Sequence, residues 1–233
     1  MVDRPSPSTP AGPRPAATVV VVRPRDGALQ CFMLRRSAQS QFMPQSFVFP
    51  GGRLEADDGA PEDDATWARA AARECLEEAG IAVEQAALRW FDTWCTPSAE
   101  PRRFLARFFV AVLAEGDAEH ADADGVETTD GRWWSATEAL AAWRSGDADL
   151  PPPTLSTLLR LDALGLAAFE VDDRDDLRQP ILPKAAIEAG TVQVVMPHDD
   201  AYAAIPGEGA PAPARVSALP RRFVRKEGRW TPV

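Results

Sequence analysis

Apolar positions along the chain fall into two rhythms. "ATVVVVRP" (17–24) and "LQCFMLRRS" (29–37) are β-branched or apolar runs, and the "RDGA" between them carries an Asp-Gly turn signal, so a hairpin is expected. "SFVFPGG" (46–52) reads as a short strand ending in a sharp Pro-Gly-Gly turn. "ALRWFDTWCTP" and "RFLARFFVAVLAE" read as two long strands joined by "SAEPRR", and "VETTDGRWWS" as a further strand or loop. The second rhythm is helical. From about Asp64 to Ala79 the chain is alanine-rich, with acids at its start and Gly80 just past its end, the polarity of a helix and its C-terminal cap. Ser135 and Glu138 have the spacing of a capping box at the head of "ATEALAAWRS", and "PPPTLSTLLRLDALGL" (151–166) predicts a helix from near Pro153. Strands and helices thus mix in one α/β domain over 17–233. Its last part, from about 167, is an extension containing "TVQVVMPHD" and "PRRFVRKEGRW". Residues 1–16, with five prolines and little to bury, read as a disordered leader.

Charge and composition narrow the functional classes. Acidic residues outnumber basic ones 35 to 25 over 233 residues, giving a net charge of -10. That balance argues against broad binding to nucleic acid or anionic membrane. No apolar run approaches the roughly 20 residues of a membrane span, and a signal-peptide core is absent from the sequence as read. The three cysteines, Cys31, Cys75 and Cys95, form no CxxC pair, so neither a disulfide framework nor a zinc site is indicated, and a reducing cytoplasm is the expected setting.

One stretch concentrates candidate chemistry. "AARECLEEAGI" (71–81) places Glu74, Glu77 and Glu78 within five positions. On a helix they share an arc of about 100°, while Ala68, Ala72, Cys75, Leu76 and Ala79 are expected on the opposite, packed side. Two readings fit this pattern: a solvated acidic face in which Arg73 neutralises Glu77 at i+4, or an oxygen-rich site for a hard cation such as Mg²⁺ or Mn²⁺.

The flanks favour the second. "PGG" at 50–52 followed by "RECLEEAGI" at 73–81 resembles the box of the Nudix hydrolase family: a glycine, five residues, a glutamate, seven residues, then Arg-Glu-apolar-any-Glu-Glu-any-Gly-apolar. Arg73, Glu74, Cys75, Glu77, Glu78, Gly80 and Ile81 match the second half. The first half departs from it, with Asp58 where a glutamate is expected and fourteen residues before Arg73 instead of seven. The order of "FMLRRS", "FMPQSFVFPGG", the lengthened box, "GRWWSATEAL", "LPPPTLSTLLRL", "PILPK" and "MPHDDAY" is similar to the branch of peroxisomal coenzyme A diphosphatases and their bacterial relatives.

This resemblance implies an α/β/α sandwich with a mixed sheet, and Mg²⁺- or Mn²⁺-dependent cleavage of the pyrophosphate in a nucleoside-diphosphate derivative. Coenzyme A or acyl-coenzyme A is the first substrate it suggests; NADH, ADP-ribose or a nucleotide sugar are others, as is a module that binds such a ligand without cleaving it. It implies Glu77 and Glu78 as metal ligands, Glu74 as ligand or base, Gly52 as part of the loop facing the metal, and Arg73 as the group orienting Glu77. Glu127 is an additional acidic candidate from outside the box. Arg36, Arg102 and Arg103 are candidates to meet substrate phosphates. The extension is a candidate wall of the substrate pocket or a homodimer contact.

Overall fold

A computed structural model describes residues 12–40, 43–118, 120–126 and 128–233. The main sheet is mixed, because β1 (Arg14–Arg25) and β6 (Phe104–Val112) run parallel while the other pairings are antiparallel. Its order is β3 (Phe47–Val48), β2 (Ala28–Arg36), β1, β6, β5 (Arg89–Cys95); β4 (Gly51–Arg53) adds to the start of β1 and β7 (Thr128–Ser135) to β2. The expected hairpin forms: β1 pairs with β2 around Asp26 and Gly27, both at positive φ. β1 starts at Arg14, inside the stretch expected to be a leader; Met1–Ala11 lie outside the described residues.

The valine run of β1 is buried on both faces, which is why it reads as continuous apolar sequence without alternation. Val19 and Val21 pack with Trp67, Ala70, Ala71 and Cys75 of α1 (Asp64–Ala79) on one side. Val20 and Val22 face the other side, where α2 (Ala136–Ser145) and α3 (Pro152–Leu164) contribute Leu140, Leu155 and Leu158. The helices begin where the sequence indicates. Asp63 accepts from the Ala65 N–H ahead of α1, and Ser135 and Glu138 complete a reciprocal capping box ahead of α2. Gly80 closes α1 in the left-handed conformation, φ 65°, donating back to Leu76 O.

The extension forms a second, antiparallel sheet in the order β11 (Arg229–Pro232), β10 (Arg222–Lys226), β9 (Thr191–Val195), β8 (Lys184–Glu188). Val194, Met196 and Phe223 enter the same core as Val20 and Leu155, so the extension completes the domain's packing. Its polar weld is Asp92, fully buried on β5, which accepts from Arg160 of α3 at 2.8 Å and from Arg215 of the extension at 2.9 Å. Arg215 also donates to the carbonyls of Thr93 and Gln179, at 3.2 and 2.8 Å. A short helix, α4 (Arg174–Arg178), returns to α1, where Arg178 meets Asp64 at 2.6 Å. Among the described residues no helix is long and apolar enough to cross a membrane.

Candidate active site

α1 packs on β1 and β4, with Glu74 and Glu78 of its C-terminal half at the Gly51–Gly52 turn, and its first residue, Asp64, pairs with Arg107 of β6 at 2.7 Å. Gly51 and Gly52 pair with Thr18 and Ala17, which brings the glycine turn beneath Glu74 and Glu78. A Cβ built on Gly52 would stand 2.3 Å from Glu74 Oε1, so the carboxylate lies directly on a backbone that only glycine leaves open. Gly51 donates its N–H to Glu78 Oε2 at 2.9 Å.

That hydrogen bond corrects the face assigned to α1. Glu78 is buried, 8% exposed, while Leu76, expected on the packed side, is 55% exposed. The helix seats on the sheet through Trp67, Ala70, Ala71 and Cys75, a face that continues to Glu78; the backbone donor of Gly51 satisfies the carboxylate there. Trp67, on the same face, is buried, with the Arg107 guanidinium 4.2 Å from its ring and Pro61 O accepting its indole N–H.

Arg73 is the positive charge on which the box converges. Its Nη1 reaches Glu74 and Glu77, each at 2.9 Å, and its Nη2 donates to Arg53 O at 3.0 Å and Asp58 Oδ2 at 2.9 Å. Asp58, whose role the fourteen-residue spacing leaves open, is therefore Arg73's anchor; its Oδ1 also accepts from Arg73 Nε at 3.2 Å. Burial pushes the Asp58 carboxyl up, but the hydrogen bonds from Arg73 and the Glu55 N–H outweigh this and hold it below the ordinary carboxylate range. The hydrogen bonds to Asp58, ahead of the charge of Glu74 and the hydrogen bonds to Glu74 and Glu77, hold the Arg73 guanidinium more firmly protonated than usual against the opposing effect of burial. Sequence spacing alone missed this contact, although the five residues from Gly52 to Asp58 are the box distance and signalled it.

The other expected site residues are dispersed. Glu127 lies outside the described residues. Arg36 is half-buried at the end of β2 and donates to Ser40 Oγ at 3.0 Å. Arg102 is exposed in the β5–β6 loop. Arg103 turns to the extension: it pairs with Glu208 at 2.7 Å and donates to Thr96 O at 3.1 Å and Cys95 Sγ at 3.7 Å. Cys75 is buried on the packed face, and burial, helped by the Glu78 charge, pushes its thiol up to about 12, which excludes a thiolate nucleophile near neutral pH.

Among the described residues, no three His, Cys, Asp or Glu side chains stand converged as a metal cage. Glu77 points outward, Glu78 inward to Gly51, and Glu74 onto Arg73. The donor chemistry nonetheless fits a hard divalent cation: three carboxylates on adjacent turns, with Gly52 leaving close approach open beside Glu74.

The NUDIX domain family model matches residues 12–152. "Putative nudix hydrolase 7" of Caenorhabditis elegans is 27% identical over 194 residues, 65% of this chain and 62% of that protein. "Acyl-coenzyme A diphosphatase NUDT19" of Xenopus laevis is 35% identical over 79 residues, 32% of this chain and 20% of that protein. The chain thus spans less than two thirds of the length of either relative. In three dimensions the chain is similar to a NUDIX hydrolase from Alicyclobacillus acidocaldarius, with a TM-score of 0.59 at 24% identity, covering 69% of this chain and 97% of that one; this likeness is one of fold.

Proposed function

Because the chain belongs to the NUDIX domain family, we propose that it is a metal-dependent hydrolase of the pyrophosphate bond in a nucleoside-diphosphate derivative, with coenzyme A or an acyl-coenzyme A as substrate. The observation that carries this reading is the seating of Glu74 and Glu78 on the Gly51–Gly52 turn, with Arg73 gripping Glu74 and Glu77 from the side. Carboxylates fixed at a glycine turn suit a reaction in which a polyanion must come close to backbone. The partial likeness to the Xenopus laevis acyl-coenzyme A diphosphatase supports the substrate class, as does the order of motifs along the chain.

Glu74, Glu77 and Glu78 would hold Mg²⁺ or Mn²⁺, with the Gly52 backbone beside them. Such an ion, when bound, screens the diphosphate charge and lowers the pKa of a coordinated water. The protein's own contribution is positional. Gly51 fixes Glu78 through its N–H, and Arg73 restrains Glu74 and Glu77, so the acids lose little rotamer freedom when substrate arrives. Glu74, lying on Gly52, is proposed as a ligand, directly or through water, or as the base for that water. Arg36 and Arg102 are the cations proposed to meet substrate phosphates. Arg103 is bound to Glu208 and serves the extension first.

The test is Mg²⁺-dependent turnover across coenzyme A, an acyl-coenzyme A, NADH, ADP-ribose and a nucleotide sugar. Coenzyme A or its acyl ester should be cleaved to 3',5'-ADP and a 4'-phosphopantetheine with the highest kcat/KM. Preference for NADH, ADP-ribose or a nucleotide sugar would reject the substrate assignment and keep the chemistry. Tight binding of one compound without turnover of any would reject the enzyme.

A further inference from the structure

The lengthened box contains a second arginine that the box pattern does not specify. Arg69 lies one turn before Arg73 on α1, on the same side of the helix. Both guanidiniums reach the same short 3-10 turn, Ala56–Asp58, but grip different groups of one residue. Arg69 Nε donates to the carbonyl of Asp58 at 2.6 Å, while Arg73 takes its carboxylate at 2.9 and 3.2 Å. Arg69 Nη2 is itself held by Thr66 Oγ1 at 3.0 Å and Asp63 Oδ2 at 3.3 Å, both supplied by the first turn of α1 and its cap.

Gly59 closes this arrangement. Its φ of 117° is costly for any side chain, and a Cβ there would stand 2.8 Å from both Arg69 Nη2 and Thr66 Oγ1. The turn is also tied internally, since the Glu55 N–H donates to Asp58 Oδ2 at 2.8 Å. Asp58 is one methylene shorter than the glutamate of the box pattern, so its carboxylate follows the backbone of the turn more closely. A group that fixes that backbone thereby fixes the guanidinium of Arg73.

We propose that Arg69, seated against Gly59, is a positioning residue for the candidate metal site: it locks the Asp58 carbonyl, Asp58 then fixes Arg73, and Arg73 orients Glu74 and Glu77. This rests on the reading of Glu74, Glu77 and Glu78 as cation ligands. The inserted segment between Gly52 and Arg73 acts, on this account, as a brace that replaces the reach lost by having aspartate at position 58.

The experiment measures binding of Mn²⁺ alone to the full chain by calorimetry and by electron paramagnetic resonance, with thermal melting as the control for folding. The variants are Arg69→Gln, Arg69→Lys, Asp58→Asn, the Arg69→Lys/Asp58→Asn pair, and Glu78→Gln. Asp58→Asn should weaken Mn²⁺ binding by about 10- to 100-fold, the range for groups that orient ligands, and Arg69→Lys by roughly 3- to 10-fold. Lysine keeps the charge but not the forked donor set, so it carries the test should Arg69→Gln unfold. The double variant should bind no more weakly than Asp58→Asn alone, because the Arg69 effect passes through Asp58. An unchanged affinity in folded Arg69→Lys, or the same loss with and without Asp58, would overturn the proposal. If the wild type binds Mn²⁺ and Glu78→Gln does not, that failure would belong to Arg69 alone. A wild type that binds no Mn²⁺ would overturn the metal-site reading together with this one.

Discussion

Gly52 and Glu74 are so close that an added Cβ would be 2.3 Å from Oε1 and 2.4 Å from the carboxyl carbon of Glu74. The obstructing atoms are the end of a flexible side chain, which can swing aside. Gly52→Ala should therefore leave the folding free energy within about 1 kcal/mol of wild type. It should lower kcat on the diphosphate substrate by about 10²-fold, the cost of displacing a reacting group by roughly 1 Å. Urea denaturation and steady-state kinetics on the same preparation check both halves.

The neighbouring glycine should behave in the opposite way. A Cβ on Gly51 would meet Ala17 O at 2.5 Å and Thr18 Cα at 2.7 Å, backbone atoms that cannot yield without separating β4 from β1. Gly51→Ala should destabilise the protein by about 1–3 kcal/mol, the range for an overpacked site, visible as a lower denaturation midpoint.

Asp92 balances two arginines in the interior, with Trp94 Nε1 donating to it at 3.1 Å as well. Replacing it leaves Arg160 a buried charge without its carboxylate and Arg215 with Asp176 alone, at 3.0 Å. Asp92→Asn should cost about 3–5 kcal/mol, the penalty for breaking a buried ion pair from one side. A loss under about 1 kcal/mol in urea denaturation would refute the view that this cluster welds the extension to the main sheet.

Acid sensitivity has a specific source in the extension. Hydrogen bonds from Arg222, at 2.7 and 2.8 Å, lower the Asp199 carboxyl against the opposing effect of burial. A carboxyl depressed in the folded state contributes stability that is fully present above its unfolded value of about 3.9 and disappears as pH falls through the folded value. Asp199→Asn should thus be less stable than wild type near neutrality. The difference should shrink below about pH 4, as measured by melting temperature at pH 7 and pH 3.

The sequence made α1 legible because its signals are local: the acids at its start, the alanines and Gly80 lie within one continuous stretch. The capping box of Ser135 and Glu138 and the Asp26-Gly27 turn were legible for the same reason. The rotation of α1 was not, since Leu76 and Glu78 exchange the faces their polarity suggests once Gly51, 27 residues away, offers a buried donor. Arg103 reads as a phosphate ligand from its loop-end position, yet its partner Glu208 lies in a distant segment that no local pattern connects to it. Arg160 and Arg215 lie 68 and 123 residues from Asp92, and only the fold brings the three together.

In the proposed reaction Glu78 works as an anion at a metal site. Glu78→Gln tests it most directly, because the glutamine oxygen can still accept the Gly51 N–H while the charge is gone. Turnover of coenzyme A or its acyl ester should be measured against Mg²⁺ concentration for wild type and variant, with melting curves for both. The variant should fold, with a kcat/KM at least about 10²-fold lower that excess Mg²⁺ does not restore. A variant with unaltered Mg²⁺ dependence and wild-type turnover would contradict it.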